Sequence, residues 1–80
     1  MANTDDELVR DLEHGIADYL RMHPNAADSV DGIRCWWVGQ RCKDASVDEV
    51  LRALAELVRK GVVRETDLHD GHVIYRTAHG

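Results

Sequence analysis

At Gly61 the spacing of apolar residues changes from a helical period to a strand period, and few small folds accommodate that switch. Before it, Val47, Val50, Leu51, Leu54, Leu57 and Val58 recur at i, i+3, i+4 and i+7, a wide stripe on one side of a helix. Ser46-Val47-Asp48-Glu49 opens that helix as a capping box, with Ser46 and Glu49 each able to satisfy an orphaned backbone N–H. Arg59-Lys60 place cations at the negative end of its dipole, and Gly61 serves as a C-terminal stop. After Gly61, Val62-Val63-Arg64-Glu65 and Val73-Ile74-Tyr75-Arg76 are β-rich runs, with Asp70-Gly71 as a turn signal between them. The expectation is a helix over 47–60 and a hairpin with strands at 62–66 and 72–76.

Two more helices precede this unit. Thr4-Asp5-Asp6-Glu7 reads as a further capping box, and Leu8, Leu12, Ile16, Tyr19 and Leu20 define one apolar face behind it. Gly15 weakens this helix, and His23-Pro24 ends it, because a residue before proline is pushed out of helical geometry. The expected span is 5–22. Asp28 is a suitable N-cap for a second helix over 29–38, in which Val30, Ile33 and Trp37 share a face and Gly39 marks the stop. Gln40 to Ala45 then reads as a polar loop. The chain is expected to form one domain, mainly α with a C-terminal β-hairpin, with residues 1–3 and 77–80 fraying.

The pattern of three helices, then Gly61 leading directly into a hairpin, resembles the winged-helix superfamily. The segment Ala27 to Ile33 with Trp36-Trp37 is similar to small bacterial members of that family. The resemblance implies a three-helix winged-helix domain in which the third helix and the hairpin wing are the usual DNA-contacting parts. Two features depart from the pattern. The family usually places a short strand between helices 1 and 2, and Asn25 to Ala27 leave little room for one. The loop from Gly39 to Ala45 is also longer than the three or four residues of a tight helix-turn-helix connection.

Charge decides between partners. The 80-residue chain carries a net −5, unevenly spread. Residues 1–31 hold eight acids against two bases, whereas residues 32–64 hold seven bases against four acids. A DNA reader needs cations towards phosphates. On the third helix the outward positions are expected to be Asp48, Glu49, Arg52, Ala53, Ala55, Glu56, Arg59 and Lys60, with equal numbers of each sign. Asp48–Arg52–Glu56–Lys60 is an i, i+4 ladder that would neutralise its own cations. In the hairpin Glu65, Asp67 and Asp70 outnumber Arg64. These features favour protein contacts.

Trp36-Trp37 is the strongest binding signal. Neighbouring helical residues lie about 100° apart, so one indole can enter the core while the other points out. The expectation puts Trp37 inside and Trp36 outside, where Arg34, Arg41 and Lys43 flank it as a partner-binding surface. The function expected is therefore a non-enzymatic adaptor or self-associating regulator. The alternative is a small DNA-binding transcriptional regulator that uses the central basic patch with Arg52, Arg59, Lys60 and Arg64.

Other chemistry finds little support. C-x6-C (Cys35, Cys42) and H-x2-H (His69, His72) do not match zinc-ligand spacing, and Cys35 reads more simply as a small buried hydrophobe. Asp70 and His72 can meet in the hairpin, but no nucleophile or glycine-rich phosphate loop accompanies them. His14 and His23 read as surface residues. No cofactor, metal or small-molecule substrate is expected. The acidic, polar Met1 to Glu7 is unlike a signal peptide, no apolar run is long enough to span a bilayer, and two cysteines make a poor disulfide framework. A cytoplasmic location is expected.

Overall fold

Three helical stretches and three short strands build the described part of the chain, which in the computed structural model is residues 4–38 and 45–78. Helix α1 spans Thr4–Met22, strand β1 Ala27–Asp28 and helix α2 Val30–Gly32, which continues without a break as a π-helical segment, Ile33–Trp37. Helix α3 (Val47–Arg59) and strands β2 (Val63–Asp67) and β3 (Val73–Thr77) follow. The strands form one antiparallel sheet in the order β1-β3-β2. The architecture is thus mixed α/β, with a third strand beyond the expected hairpin.

That third strand corrects the expectation that Asn25 to Ala27 leave little room for one. Two residues suffice, because Ala27 and Asp28 pair with Arg76 and Tyr75 of β3 instead of forming a ribbon of their own. Asp28 is in consequence not the N-cap of α2. Ser29 takes that place, its Oγ accepting from the Gly32 N–H at 3.3 Å, while Asp28 Oδ1 accepts from the Ser29 N–H at 2.8 Å. The Asp28 carboxylate lies where a β-carbon on residue 32 would sit, so Gly32 leaves room for it.

The capping box of α3 is present in full: the Glu49 N–H donates to Ser46 Oγ at 3.1 Å and the Ser46 N–H to Glu49 Oε1 at 2.9 Å. At its other end Gly61, with φ of 79°, reverses the chain. The Val62 N–H reaches the Leu57 carbonyl (2.9 Å) and the Gly61 N–H that of Val58 (3.1 Å), a Schellman closure. A residue with a β-carbon resists this left-handed conformation. Helix α1 begins at Thr4 itself, one residue before the expected span; the stop at Gly39 and the loop over 40–44 fall outside the described residues.

The hairpin loop sets the register of the sheet. The Leu68 N–H donates to the His72 carbonyl at 2.7 Å and the Gly71 N–H to the Leu68 carbonyl at 3.0 Å, with Gly71 at φ of 88°. This leaves three residues in the loop, and Arg64 faces Arg76 while Glu65 faces Tyr75. The strands end one residue later than expected. Thr77 pairs with Val63, and the Ala78 N–H bonds the Val62 carbonyl at 3.0 Å.

Buried side chains from every layer form one cluster: Leu12, Ile16 and Leu20 from α1, Ile33 and Trp37 from the π-helical segment, Val50, Ala53, Leu54 and Leu57 from α3, and Val63 and Tyr75 from the sheet. Ala45, expected in a polar loop, joins it. The stripe on α3 is rotated from its expected position. Ala53 is fully buried where it was expected outside, and Leu51 is 38% exposed where it was expected inside. The cause is α1, against which α3 chiefly packs. A methyl at position 53 lets the two helices approach, and that turn of α3 swings Leu51 outward.

Candidate partner-binding surface

The two tryptophans have opposite fates. Trp37 is 5% exposed and stacks on Tyr19 of α1, with ring centroids 4.8 Å apart and planes inclined by 13°. His23 also meets the Tyr19 ring, with centroids 4.5 Å apart and planes inclined by 38°. Trp36 is 77% exposed. The π-helical turn explains this division. Bonding from i to i+5 widens the turn, so residues four and five apart fall on one side. Ile33, Trp37 and Val38 therefore all enter the core, and Arg34, Cys35 and Trp36 turn away from it. Cys35 is accordingly an exposed free thiol and not the small buried hydrophobe expected.

The structure brings together only part of the expected basic surface. Arg34 shares the π-helical segment with Trp36 and is half-buried, its Nε covered and without a hydrogen-bond partner. Arg41 and Lys43 lie outside the described residues, as does Cys42. The charge ladder on α3 does not form. Glu56 instead pairs with Arg59 at 2.6 Å, one turn on, which holds its carboxyl below the usual range and raises the Arg59 guanidinium. Lys60 leaves its own helix to pair with Glu13 of α1 at 2.8 Å. A helix-to-helix tie and an i, i+3 pair satisfy the same charges, and Arg52 is left exposed without an ion pair among the described residues.

Comparison with protein-family models, with curated proteins and with solved structures finds no match to this chain. The surface must therefore be read from its own chemistry. Two grooves flank the outer side of α3 and share Ala55. One, of about 440 Å³, runs between α1 and α3 and is lined by Val9, Arg10, Glu13, Arg52, Ala55 and Glu56. The other, of about 290 Å³, lies between α3 and the hairpin and is lined by Leu51, Ala55, Val58, Glu65 and Tyr75. Arg10 and Arg52 put two cations on the first and Glu13 and Glu56 two carboxylates; Glu65 puts a carboxylate on the second. Burial, with the Glu65 charge second, pushes the Tyr75 phenol up from its ordinary value.

Asp70 and His72 do meet in the hairpin loop. Asp70 Oδ2 lies 2.9 Å from His72 Nδ1, and Asp70 Oδ1 accepts from the His72 N–H at 3.1 Å. The His72 side chain and backbone bonds hold the Asp70 carboxyl below its usual value. Both side chains are exposed. His14 and His23 are exposed as expected. No group of three or more His, Cys, Asp or Glu is placed to hold a metal ion, and no helix is long and apolar enough to cross a membrane, both among the described residues.

Sequence reasoning passed over Arg76 and Met22. Met22 is as exposed as Trp36, at the end of α1, and its place after the last buried turn was the available signal. Arg76 becomes interesting only through the hairpin register, which the sequence leaves open.

Proposed function

We propose that this chain is a non-enzymatic winged-helix module that binds another protein, either as an adaptor or as a self-associating regulator. The observation that carries the reading is Trp36, an indole held out into solvent on the π-helical segment that also carries Arg34. Trp and Arg are the residue types most enriched at binding hot spots, and an exposed large aromatic on a small domain leaves apolar area in water that a partner would cover. The order α1-β1-α2-α3-β2-β3, with β1 joined to the hairpin, supports the winged-helix assignment, including the short strand that family places after helix 1.

The test is association of the purified chain followed by sedimentation across a concentration series, together with chemical crosslinking in its native host. Trp36→Ala and Arg34→Ala are expected to abolish or weaken the complexes seen with the unaltered chain. If every complex survives both substitutions, the reading fails.

A second reading, DNA binding, draws on Arg52. Freed from the expected ladder, it lies with Arg10 along the α1–α3 groove, whose two carboxylates, Glu13 and Glu56, are paired with Lys60 and Arg59. Titration of random duplex into labelled protein at low and moderate salt separates the two. Binding that falls steeply with salt and with Arg52→Gln would favour DNA; none even at low salt would eliminate it.

A further inference from the structure

The face of the sheet turned away from the core carries an unusual pair. Val63 and Tyr75 are buried, so the alternating positions Arg64, Thr66, Ile74 and Arg76 belong to the opposite face. Arg64 and Arg76 are direct cross-strand partners, and Ala27 of β1 pairs with Arg76 on its other side. Side chains so paired start from β-carbons about 4.5–5.5 Å apart. The acids of the strands, Asp28, Glu65 and Asp67, all alternate to the other face.

Like charges directly opposite one another destabilise a sheet. Nothing among the described residues relieves this pair: neither arginine has an ion-pair partner there. Arg76 is half-buried and its Nε, out of contact with solvent, has no hydrogen-bond partner. Buried donors are nearly always bonded, and a guanidinium without an acceptor marks a place where one is wanted. Ala27 adds only a methyl to the row, and the half-buried Thr66 offers a hydroxyl next to Arg64 on the same face.

We propose that this outer sheet face is an oxyanion site in which Arg64 and Arg76 together hold a phosphate group, with Thr66 as an additional donor. Guanidinium forks match phosphate oxygens in pairs, and a phosphate monoester, carrying about −1.5 to −2 near neutral pH, balances two arginines where a carboxylate balances one. The site is separate from Trp36 and does not depend on the protein-binding reading.

Calorimetric titration of the full chain with inorganic phosphate, and separately with a short DNA duplex, tests it at low ionic strength. One phosphate per chain is expected, with affinity lowered about tenfold or more by Arg64→Gln and by Arg76→Gln, since hydrogen bonds to charged groups are lost. Arg21→Gln, at an exposed arginine of α1 outside every surface proposed above, is expected to change nothing. In phosphate-free buffer Arg64→Gln should raise the melting temperature by removing the repulsion, and added phosphate should stabilise the unaltered chain but not the variant. Binding of the duplex alone, with the same dependence on both arginines, would support the site and identify the phosphate as that of a nucleic-acid backbone. Absence of binding to both probes, or binding that survives both substitutions, would overturn it. Neither result bears on complexes lost through Trp36→Ala, so the two ideas fail separately.

Discussion

Trp37→Ala is expected to cost about 3–5 kcal/mol, the usual range for emptying a buried aromatic position, because its indole is buried against Tyr19 and the main cluster. Trp36→Ala, one residue earlier, is expected to change stability by no more than about 0.5 kcal/mol, as for most exposed positions. Urea unfolding of the two variants measures both, and a large loss at position 36 would mean that its indole packs on the protein. The division between the two rings was legible from the helical angle between neighbours. What the angle does not give is the exposure of Cys35, which follows from the widened π turn. Tyr75 carries a second residue-level consequence. Its folded-state pKa lies above the unfolded value near 10, chiefly through burial. Above that value the unfolded chain releases the phenolic proton first, so this stabilising contribution is intact below pH 10 and declines as pH rises through the folded pKa. Tyr75→Phe should therefore flatten the alkaline loss of stability relative to the unaltered chain, measured as urea midpoints between pH 8 and 11. Parallel declines would show that Tyr75 is free to ionise in the folded state.

Within α1, Gly15 separates the buried turns of Leu12 and Ile16 and lowers helix propensity by about 1 kcal/mol relative to Ala. A β-carbon there would meet the Val38 carbonyl oxygen at 3.5 Å, an ordinary contact. Gly15→Ala is thus expected to stabilise the protein by up to about 1 kcal/mol, read as a higher melting temperature; a lower one would show that α1 needs a closer approach to Val38 than the contact distance implies. Helices and hairpin were legible at this scale because capping boxes, Pro24, Gly61 and the change of period are local signals. Three features were not, and each depends on distant residues. Strand β1 exists only through the edge that β3 offers to Ala27 and Asp28. The rotation of α3 that buries Ala53 is set by α1. The hairpin register rests on loop length. A two-residue Asp70-Gly71 turn would set Glu65 opposite Arg76 as an opposite-charge pair, whereas the three-residue loop sets Arg64 there and creates the paired arginines of the outer face.

Helices α1 and α3, the π-helical segment and the hairpin strands all contribute to one cluster of buried residues, and the most distant segments are joined through it: α1 to α3 by Leu12, Ile16, Ala53 and Leu57, and the sheet by Val63 and Tyr75. The surface ties reinforce the same pairing, with Lys60 of the α3 cap held by Glu13 of α1. With no second cluster among the described residues to hold part of the fold on its own, loss of any layer exposes the others, which is the physical condition for an all-or-none transition. The unaltered chain carries two indoles that would blur an optical test, since Trp36 is already in water. In a Trp36→Phe variant the emission reports Trp37 alone, at the junction of α1 and the π-helical segment. Its thermal transition is expected to coincide with the loss of helical circular dichroism, which is dominated by α1 and α3. An earlier fluorescence transition would show instead that the π-helical segment, with Trp36 on its outer side, detaches from the folded remainder first, and that the binding surface is the least stable part of the molecule.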